Sequence, residues 1–438
     1  MRKMLIVIIL AIILIIITMK FLESKSTAHS NLIKSDDEFL FFIISDPHFI
    51  SKKAHDNGKA FNSFIMSGDK LVQYTYDFIN AIKENVIEKK PSFILVAGDL
   101  TCNGLKESHL DLSKKFKEIE KEGTSIFVIP GNHDIMNGNS MYFYKDKSLN
   151  SQSITKESFT KIYADYGYND AISLDKESLS YLVAPTEKKW LLMIDSTNDY
   201  PDVGGSIKTS TLYWIEKCSK LAENNNASLI AVMHHNLIHH SKIINKDYTI
   251  CNSEECLEVF HKCNIDVVLT GHIHLQDIKS HNYGDKILYD IATSCLVVYP
   301  HQYGEIQYLP NKGYNYRTQK LDMEKYAFMN KINDEALINF EKYSEEFFKR
   351  NCCKNQKTCI GDLEELSEEQ KNEVFSVVSE INKRYFSGFR NEALDDLLDT
   401  KGFNLLKNLP PCNIRNYVMA ILNDERTNNN LLFIPENN

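Results

Sequence analysis

Oxygen and nitrogen donors recur in this sequence at the ends of apolar runs. Asp46 and His48 follow "FLFFIIS", Asp99 follows "SFILVAG", and Asn132, His133 and Asp134 follow "SIFVIPG". His234 and His235 follow "SLIAVM", and His272 and His274 follow "IDVVLTG". Carboxylate, amide and imidazole donors without a thiolate suit borderline or hard divalent ions such as Mn²⁺, Fe²⁺ or Zn²⁺. They are too many for one tetrahedral ion, but divided around a shared carboxylate they fill two half-open sites. Two ions held a few ångströms apart can clamp phosphate oxygens and generate a nucleophilic water near neutral pH. The chemistry to expect is therefore that of a two-metal site.

The elements that must position these donors are legible from the same runs. Continuous apolar stretches at 39–46, 92–99 and 125–132 have the pattern of strands buried on both faces. Helical spacing falls between them, at 69–88 and 107–122, and again at 209–222 and 254–263. Residues 179–184 and 190–196 read as a hairpin, and 286–294 and 296–300 as further strands. Alternating strands and helices argue for a layered α/β sheet. In such sheets ligands gather beyond the carboxyl ends of the strands, so donors far apart in sequence would meet at one edge. Residues 135–178 break the rhythm with "MYFY" and "IYADYGY", and a connection this long beside a site reads as a lid. Its Tyr142, Phe143 and Tyr144 could stack on a nucleobase or simply pack the loop. From residue 326 onward helical periodicity takes over. The expected division is a catalytic domain at 37–325 and an all-helical domain at 326–438.

Bulk properties narrow the class. A chain of 438 residues with net charge −9 is a poor phosphate-backbone binder, so a nucleic-acid partner is not expected. Its ten cysteines form no paired zinc-finger array. Cys352, Cys353, Cys359 and Cys412 are read either as including a disulfide or as free thiols. At the N-terminus Arg2 and Lys3 precede an apolar run from Met4 to Met19. Residues 1–19 read as a membrane anchor, with 20–36 as a linker and the catalytic domain outside the cytosol; a cleaved signal segment and secretion are the alternative.

The blocks Asp46-Pro47-His48, Gly98-Asp99, Gly131-Asn132-His133-Asp134, His234 and Gly271-His272-Ile273-His274 stand in one order. That ordered set resembles the calcineurin-like metallophosphoesterase family, whose signature is D-x-H, GD, GNH[DE], H and GHxH. Within the family the chain most resembles class III cyclic nucleotide phosphodiesterases. "GDLTCNG" and "YPHQYG" resemble their bacterial, membrane-associated relatives with a helical C-terminal domain. The resemblance implies a four-layer α/β/β/α sandwich. It implies one ion (Mn²⁺, Fe²⁺/Fe³⁺ or Zn²⁺) held by Asp46, His48 and His274, a second held by Asn132, His234 and His272, and Asp99 bridging them. It also implies hydrolysis of a phosphodiester, a 3′,5′-cyclic nucleotide first, by a bridging hydroxide. Cys102 stands where the purple acid phosphatase branch has a tyrosine, so iron–tyrosinate chemistry is not expected.

His133, beside a ligand, is free to assist the leaving group, with Asp134 holding its orientation as a hydrogen-bond partner. A broad phosphomonoesterase or nucleotidase, or a non-catalytic metal-binding scaffold, are the alternatives. His235 competes with His234 as the ligand, although the family places the ligand first. Asn103 reads as a phosphate contact or a turn residue. His239 and His240 read as a solvated loop, and His55, His109, His261, His281 and His301 as surface or packing residues.

Overall fold

Odd and even residues of the first strand enter different cores. In β1 (Phe39–Ile44), Phe41 and Ile43 face one cluster while Phe42 and Ile44 face another. β2 (Phe93–Ala97) and β3 (Ser125–Ile129) split the same way, with Leu95 and Phe127 on the first side and Val96 and Val128 on the second. The period of two is that of a pleated strand with apolar residues on both faces. In the computed structural model residues 37–242, 244, 246–355, 361–389, 394–424 and 428–436 are described.

The remaining strands are β4 (Met141–Tyr144), β5 (Lys147–Asn150), β6 (Ser173–Leu174), β7 (Tyr181–Val183), β8 (Lys189–Ile194) and β9 (Ser228–Met233). They continue with β10 (Val267–Thr270), β11 (Asp277–Tyr283), β12 (Lys286–Ala292), β13 (Gln302–Leu309), β14 (Gly313–Lys320) and β15 (Leu431–Pro435). One mixed sheet has the order β15-β14-β13-β1-β2-β3 and the other β11-β12-β10-β9-β8-β7-β6. Leu95 and Phe127 of the first sheet meet Leu191, Ile230 and Leu269 of the second in a shared core. Helices Thr75–Lys89 and Lys106–Glu120 cover the outer face of the first sheet through Phe78, Ile82, Leu112 and Phe116. Helices Thr209–Asn224 and Ser253–Lys262 cover the second through Leu212, Ile215 and Phe260. The order helix, sheet, sheet, helix is the four-layer sandwich expected. Each fully buried large side chain in it contributes about 1.5–3 kcal/mol of transfer free energy.

Four expectations need correction. Residues 296–300 are turns rather than a strand, because their polar backbone groups serve loops: Leu296 N–H donates to Ser45 O at 3.0 Å, and Leu71 N–H donates to Val297 O at 2.9 Å. The helix expected from 69 begins at Thr75, after a short 3₁₀ turn at Val72–Tyr74. The C-terminal region is largely but not entirely helical, since β15 returns to pair antiparallel with β14, Leu432 opposite Tyr316. Its first helix, Met323–Met329, starts at the cap Asp322, whose side chain accepts from Lys325 N–H.

The fourth concerns the long connection after β3, which is not a free lid. It forms the β4–β5 hairpin and the helix Lys156–Ile162. Phe143, Phe159, Tyr163 and Tyr166 are buried in the core, and the Tyr142 hydroxyl donates to Glu107. Phe143 packs on Phe64 with ring centroids 4.7 Å apart, so only Tyr144 of the three aromatics is exposed. The N-terminal segment 1–36 lies outside the described residues, as do Cys359 and the side chains of Cys352 and Cys353. Cys412 is a free thiol.

Candidate metal centre

The strands of the two sheets end at one edge, and each hands its chain to a donor. β1 runs into Asp46 and His48, β2 into Asp99, β3 into Asn132 and His133, β9 into His234, and β10 into His272 and His274. Backbone bonds lock these exits together: Asp46 N–H to Gly98 O at 3.2 Å, His48 N–H to Asp99 O at 3.0 Å, and Gly271 N–H to His234 O at 3.0 Å. The packing leaves no room for side chains at the glycines between. A Cβ on Gly131 would lie 2.2 Å from the Asp99 amide, and one on Gly271 would lie 1.7 Å from Ser45 Oγ. Asp46, His48, Asp99, His272 and His274 all have positive φ, between 38° and 68°. Non-glycine residues adopt that conformation seldom and at a cost, and they do so most often at functional sites.

The donors form two groups around Asp99. In one, His234 Nε2 lies 3.4 Å from Asp99 Oδ1 and 3.1 Å from Asn132 Oδ1. The Ala97 carbonyl, 2.8 Å from His234 Nδ1, can only accept, so Nδ1 carries the hydrogen and Nε2 presents a lone pair. Three acceptors aimed at one point repel unless a cation lies among them. Burial opposes charge on this ring, yet Asp99 and then Asp46 outweigh it and raise its pKa to about 9, so with no cation among the acceptors Nε2 itself takes a proton, which a bound ion would displace. His272 joins this group, its ring centroid 4.8 Å from that of His234. Its Nε2 donates to Asp247 O at 3.1 Å, which leaves Nδ1 as the free donor atom.

In the other group, the nitrogens His48 Nε2 and His274 Nε2 stand 3.2 Å apart. Asp46 Oδ1 lies 3.7 and 3.3 Å from them and, although buried, accepts no hydrogen bond among the described residues. The other oxygen, Asp46 Oδ2, accepts from His272 N–H at 3.0 Å. Asp99 Oδ2 lies 3.7 Å from His48 Nε2, so Asp99 presents one oxygen to each group. Burial alone would raise the Asp99 pKa, but His234 and His133 bring it well below the ordinary range, and it stays ionised. A largely buried set of this composition, open only at Asn132 and His274 and with an orphaned carboxylate oxygen, fits a pair of divalent cations.

The structure separates the two candidates after β9. Both ring nitrogens of His235 are committed, Nδ1 to Ser196 Oγ at 2.8 Å and Nε2 to Val203 O at 3.0 Å. It supports the loop and has no lone pair to offer, whereas His234 has one. His133 is oriented differently from the expectation. Its Nδ1–H donates to Cys102 O at 2.7 Å, leaving Nε2, 3.8 Å from Asp99 Oδ2, on a side chain one-third exposed (33%). Asp134 does not do this work. Its carboxylate accepts from Gly131, Leu100 and Thr101 N–H and from Thr101 Oγ1, at 2.8–2.9 Å, and so ties the loop after β3 to the loop after β2. Burial and the charge of Asp99 push Asp134 up to about 7.

His240 overturns the solvated-loop reading. It is fully buried, with Nδ1 3.0 Å from Asp277 Oδ2 and Nε2 3.2 Å from Asp290 Oδ2. His239 is exposed as expected. His109 is also buried, between Thr101 Oγ1 and the Tyr163 hydroxyl. Asn103 donates its side-chain amide to Met141 O of β4 at 2.9 Å, a long-range contact that ties the loop after β2 to the β4–β5 hairpin. The Gly-His-Ile-His-Leu stretch at 271–275 splits by register. His272 and His274 face the donors, while Ile273 and Leu275 enter the core of the C-terminal helices with Val374, Ile381 and Tyr385. Gln276 continues the attachment, its N–H donating to Phe386 O at 3.1 Å.

Comparison with known proteins agrees with this geometry. Residues 39–276 match the calcineurin-like phosphoesterase family. The chain belongs to that family. Residues 322–428 match the C-terminal domain of cyclic nucleotide phosphodiesterase. The chain is thus a metal-dependent phosphoesterase, a hydrolase, carrying that additional domain. No curated protein matches the phosphoesterase in sequence. Among solved structures it is similar to a dimetal phosphatase from Danio rerio, at 12% identity and TM-score 0.43, over 64% of this chain and 95% of that one. It is also similar to TT1561 of Thermus thermophilus, at 11% identity and TM-score 0.37, over 65% and 100% of the two chains.

Proposed function

We propose that the phosphoesterase hydrolyses a phosphodiester, with a 3′,5′-cyclic nucleotide as the first candidate. The observation that carries this reading is the match of residues 322–428 to the C-terminal domain of cyclic nucleotide phosphodiesterase. Asp46, His48 and His274 would hold one divalent ion, Asn132, His234 and His272 the other, and Asp99 both. Such a pair supplies charge to clamp phosphoryl oxygens and lowers the pKa of a bound water. His133 does the part the chain must do itself. Cys102 O fixes its ring, so in the imidazolium form Nε2–H is aimed outward and can pass its proton to the leaving oxygen. Burial disfavours that form while Asp99 favours it, and an anionic substrate adds a second charge in its favour. A diester leaves as a poor alkoxide, so this proton matters more than it would for an aryl ester.

The test uses the purified full chain loaded in turn with Mn²⁺, Fe²⁺ and Zn²⁺ and offered 3′,5′-cyclic AMP, bis-p-nitrophenyl phosphate, p-nitrophenyl phosphate and 5′-AMP. Turnover of the diesters above the monoesters is expected. Preference for the monoesters would replace the reading with a nucleotidase, and metal uptake without turnover would leave a binding scaffold.

We further propose that Met4–Met19 anchors the chain in the cell membrane with the catalytic part outside the cytosol. That stretch lies outside the described residues, among which no helix is long and apolar enough to cross a membrane. Protease treatment of intact cells should remove the activity if this orientation holds and spare it if the catalytic part is inside. Outside the cytosol, an extracellular nucleotide or an envelope phosphodiester would replace cyclic AMP as the natural substrate.

A further inference from the structure

Ser45 stands one residue before the first donor and belongs to neither donor group. It closes the exit of β1, pairs with Cys295 in a single parallel bridge, and is fully buried. Its hydroxyl lies against the turn that carries His272. A Cβ on Gly271 would fall 1.7 Å from Ser45 Oγ and 2.8 Å from Asp46 Oδ2. β1 belongs to one sheet and β10, which leads into that turn, to the other. One hydroxyl thus sits at the seam where the two sheets deliver their donors.

The hydroxyl has one hydrogen and two acceptors in reach, Asp46 Oδ2 at 2.5 Å and Ala97 O at 3.3 Å. The Ala97 carbonyl is neutral and already accepts from His234 Nδ1 at 2.8 Å. The carboxylate is both nearer and charged, and a hydroxyl–carboxylate bond is ordinarily about 2.5–2.7 Å long. The hydrogen therefore goes to Asp46. The same oxygen accepts from His272 N–H at 3.0 Å. Two donors, one from each sheet, hold Oδ2, while among the described residues none holds Oδ1, which faces His274 Nε2 and His48 Nε2. A carboxylate free to turn about its last bond can offer an ion either oxygen, or both. Here the plane is fixed and the two oxygens are divided, Oδ2 for the protein and Oδ1 for the ion. An alanine would close the strand equally well, but it would leave that division to the His272 amide alone.

We propose that Ser45 is a positioning residue for the ion of the Asp46, His48 and His274 group, presenting Asp46 to it through Oδ1 alone. Partners that orient a ligand in this way are worth about 10–100-fold in metal affinity. The inference rests on the two-ion reading of the site and is independent of which phosphoester is hydrolysed, so no ester enters its test.

The experiment titrates the metal-free full chain with Mn²⁺ by calorimetry, with metal analysis of the complexes. Asp46→Asn marks the binding step that belongs to this group. In Ser45→Ala the Kd of the marked step should rise at least tenfold, and that of the other step should stay within threefold of wild type. Added to Asp46→Asn, Ser45→Ala should cost less than a further threefold, because a neutral amide is a weak ligand however it is oriented. Ser45→Thr, which keeps the hydroxyl, should bind both ions within threefold of wild type. A rise under tenfold at the marked step, an equal rise at both steps, or a penalty of threefold or more on top of Asp46→Asn would overturn the proposal, since the serine would then only fill the exit of β1. A Ser45→Thr chain that folds, by circular dichroism, yet loses the ion would overturn it too, whether or not Ser45→Ala folds. A wild type that takes up fewer than two ions would remove the two-ion reading and this inference with it.

Discussion

The buried triad of His240, Asp277 and Asp290 provides a pH-dependent test of how the donor loops are held. Asp290 Oδ2 accepts from Leu237 and Ile238 N–H, both at 2.8 Å, and Asp290 Oδ1 accepts from Thr270 Oγ1 at 2.8 Å. The triad thus fastens the segment after His234 to the last residue of β10, just before Gly271. Burial alone would depress the His240 pKa, but Asp290 and Asp277 outweigh it and raise the ring from 6.5 to about 9. Lys279 lies 3.8 Å from Asp277 and 3.5 Å from Asp424. A rise of this size corresponds to about 3 kcal/mol of differential stabilisation, to order of magnitude.

The folded pKa lies above the unfolded one, so this stabilisation is full below about pH 6.5 and is lost as pH rises through about 9. The assay is urea unfolding of wild type and His240→Gln at half-unit steps from pH 6 to 9.5. Titrations common to both proteins cancel in the difference. The wild type is expected to lose about 3 kcal/mol more than the variant between pH 6.5 and 9. Parallel curves would refute the reasoning, because they would mean that His240 is neutral in the folded protein and the triad is not an ion cluster. His240→Leu, which leaves two buried carboxylates facing each other, should be destabilised at pH 7 by about 3–5 kcal/mol.

The other predictions concern the site directly. His133→Ala should bind its metals normally and lose about 10²–10⁴-fold in kcat on a diester, read by steady-state kinetics alongside metal analysis. His234→Ala should bind fewer ions per chain. His235→Ala should keep its metal and instead lose about 1–3 kcal/mol of stability, because it strands Ser196 Oγ and Val203 O; equal metal loss in both would return His235 to the ligand set. Leu275→Ala, at a fully buried position, should cost about 2–5 kcal/mol and weaken metal affinity although it touches no ligand, as thermal unfolding and metal titration would show.

What the sequence made legible follows from locality. A buried strand, a glycine and a polar residue are neighbours in the chain, so Asp46, Asp99, Asn132, His234 and His272 could be placed at one sheet edge before any coordinates. The partners of His240 lie far along the chain, at Asp277 and Asp290, and nothing local distinguishes a solvated histidine from one held between two distant carboxylates. The orientation of His133 failed for the same reason: its partner is a backbone carbonyl, Cys102 O, which every residue has. Residues 296–300 misled because an apolar run says only that it is buried, and here it is buried as a turn whose backbone bonds go to Ser45, beside Asp46, and to Leu71. Leu431–Pro435 misled because pairing with β14 is a tertiary fact.

The C-terminal helices acquire a physical role from the register of residues 271–275. A loop that projects His272 and His274 to one side must put Ile273 and Leu275 on the other, and that side would meet water if the chain ended after β14. Both donors also have positive φ, at 68° and 59°, which favours relaxation of the loop unless packing opposes it. The helical core opposes it by burying Ile273 and Leu275 to 3% and 0% exposure and by taking the Gln276 amide onto Phe386 O. The energy that holds two metal-facing imidazoles in a strained backbone is therefore drawn from a core built mostly by residues beyond 360. The match to a cyclic nucleotide phosphodiesterase C-terminal domain and the geometry of the donors are two views of one arrangement, in which the added domain completes the edge of the catalytic sandwich from behind.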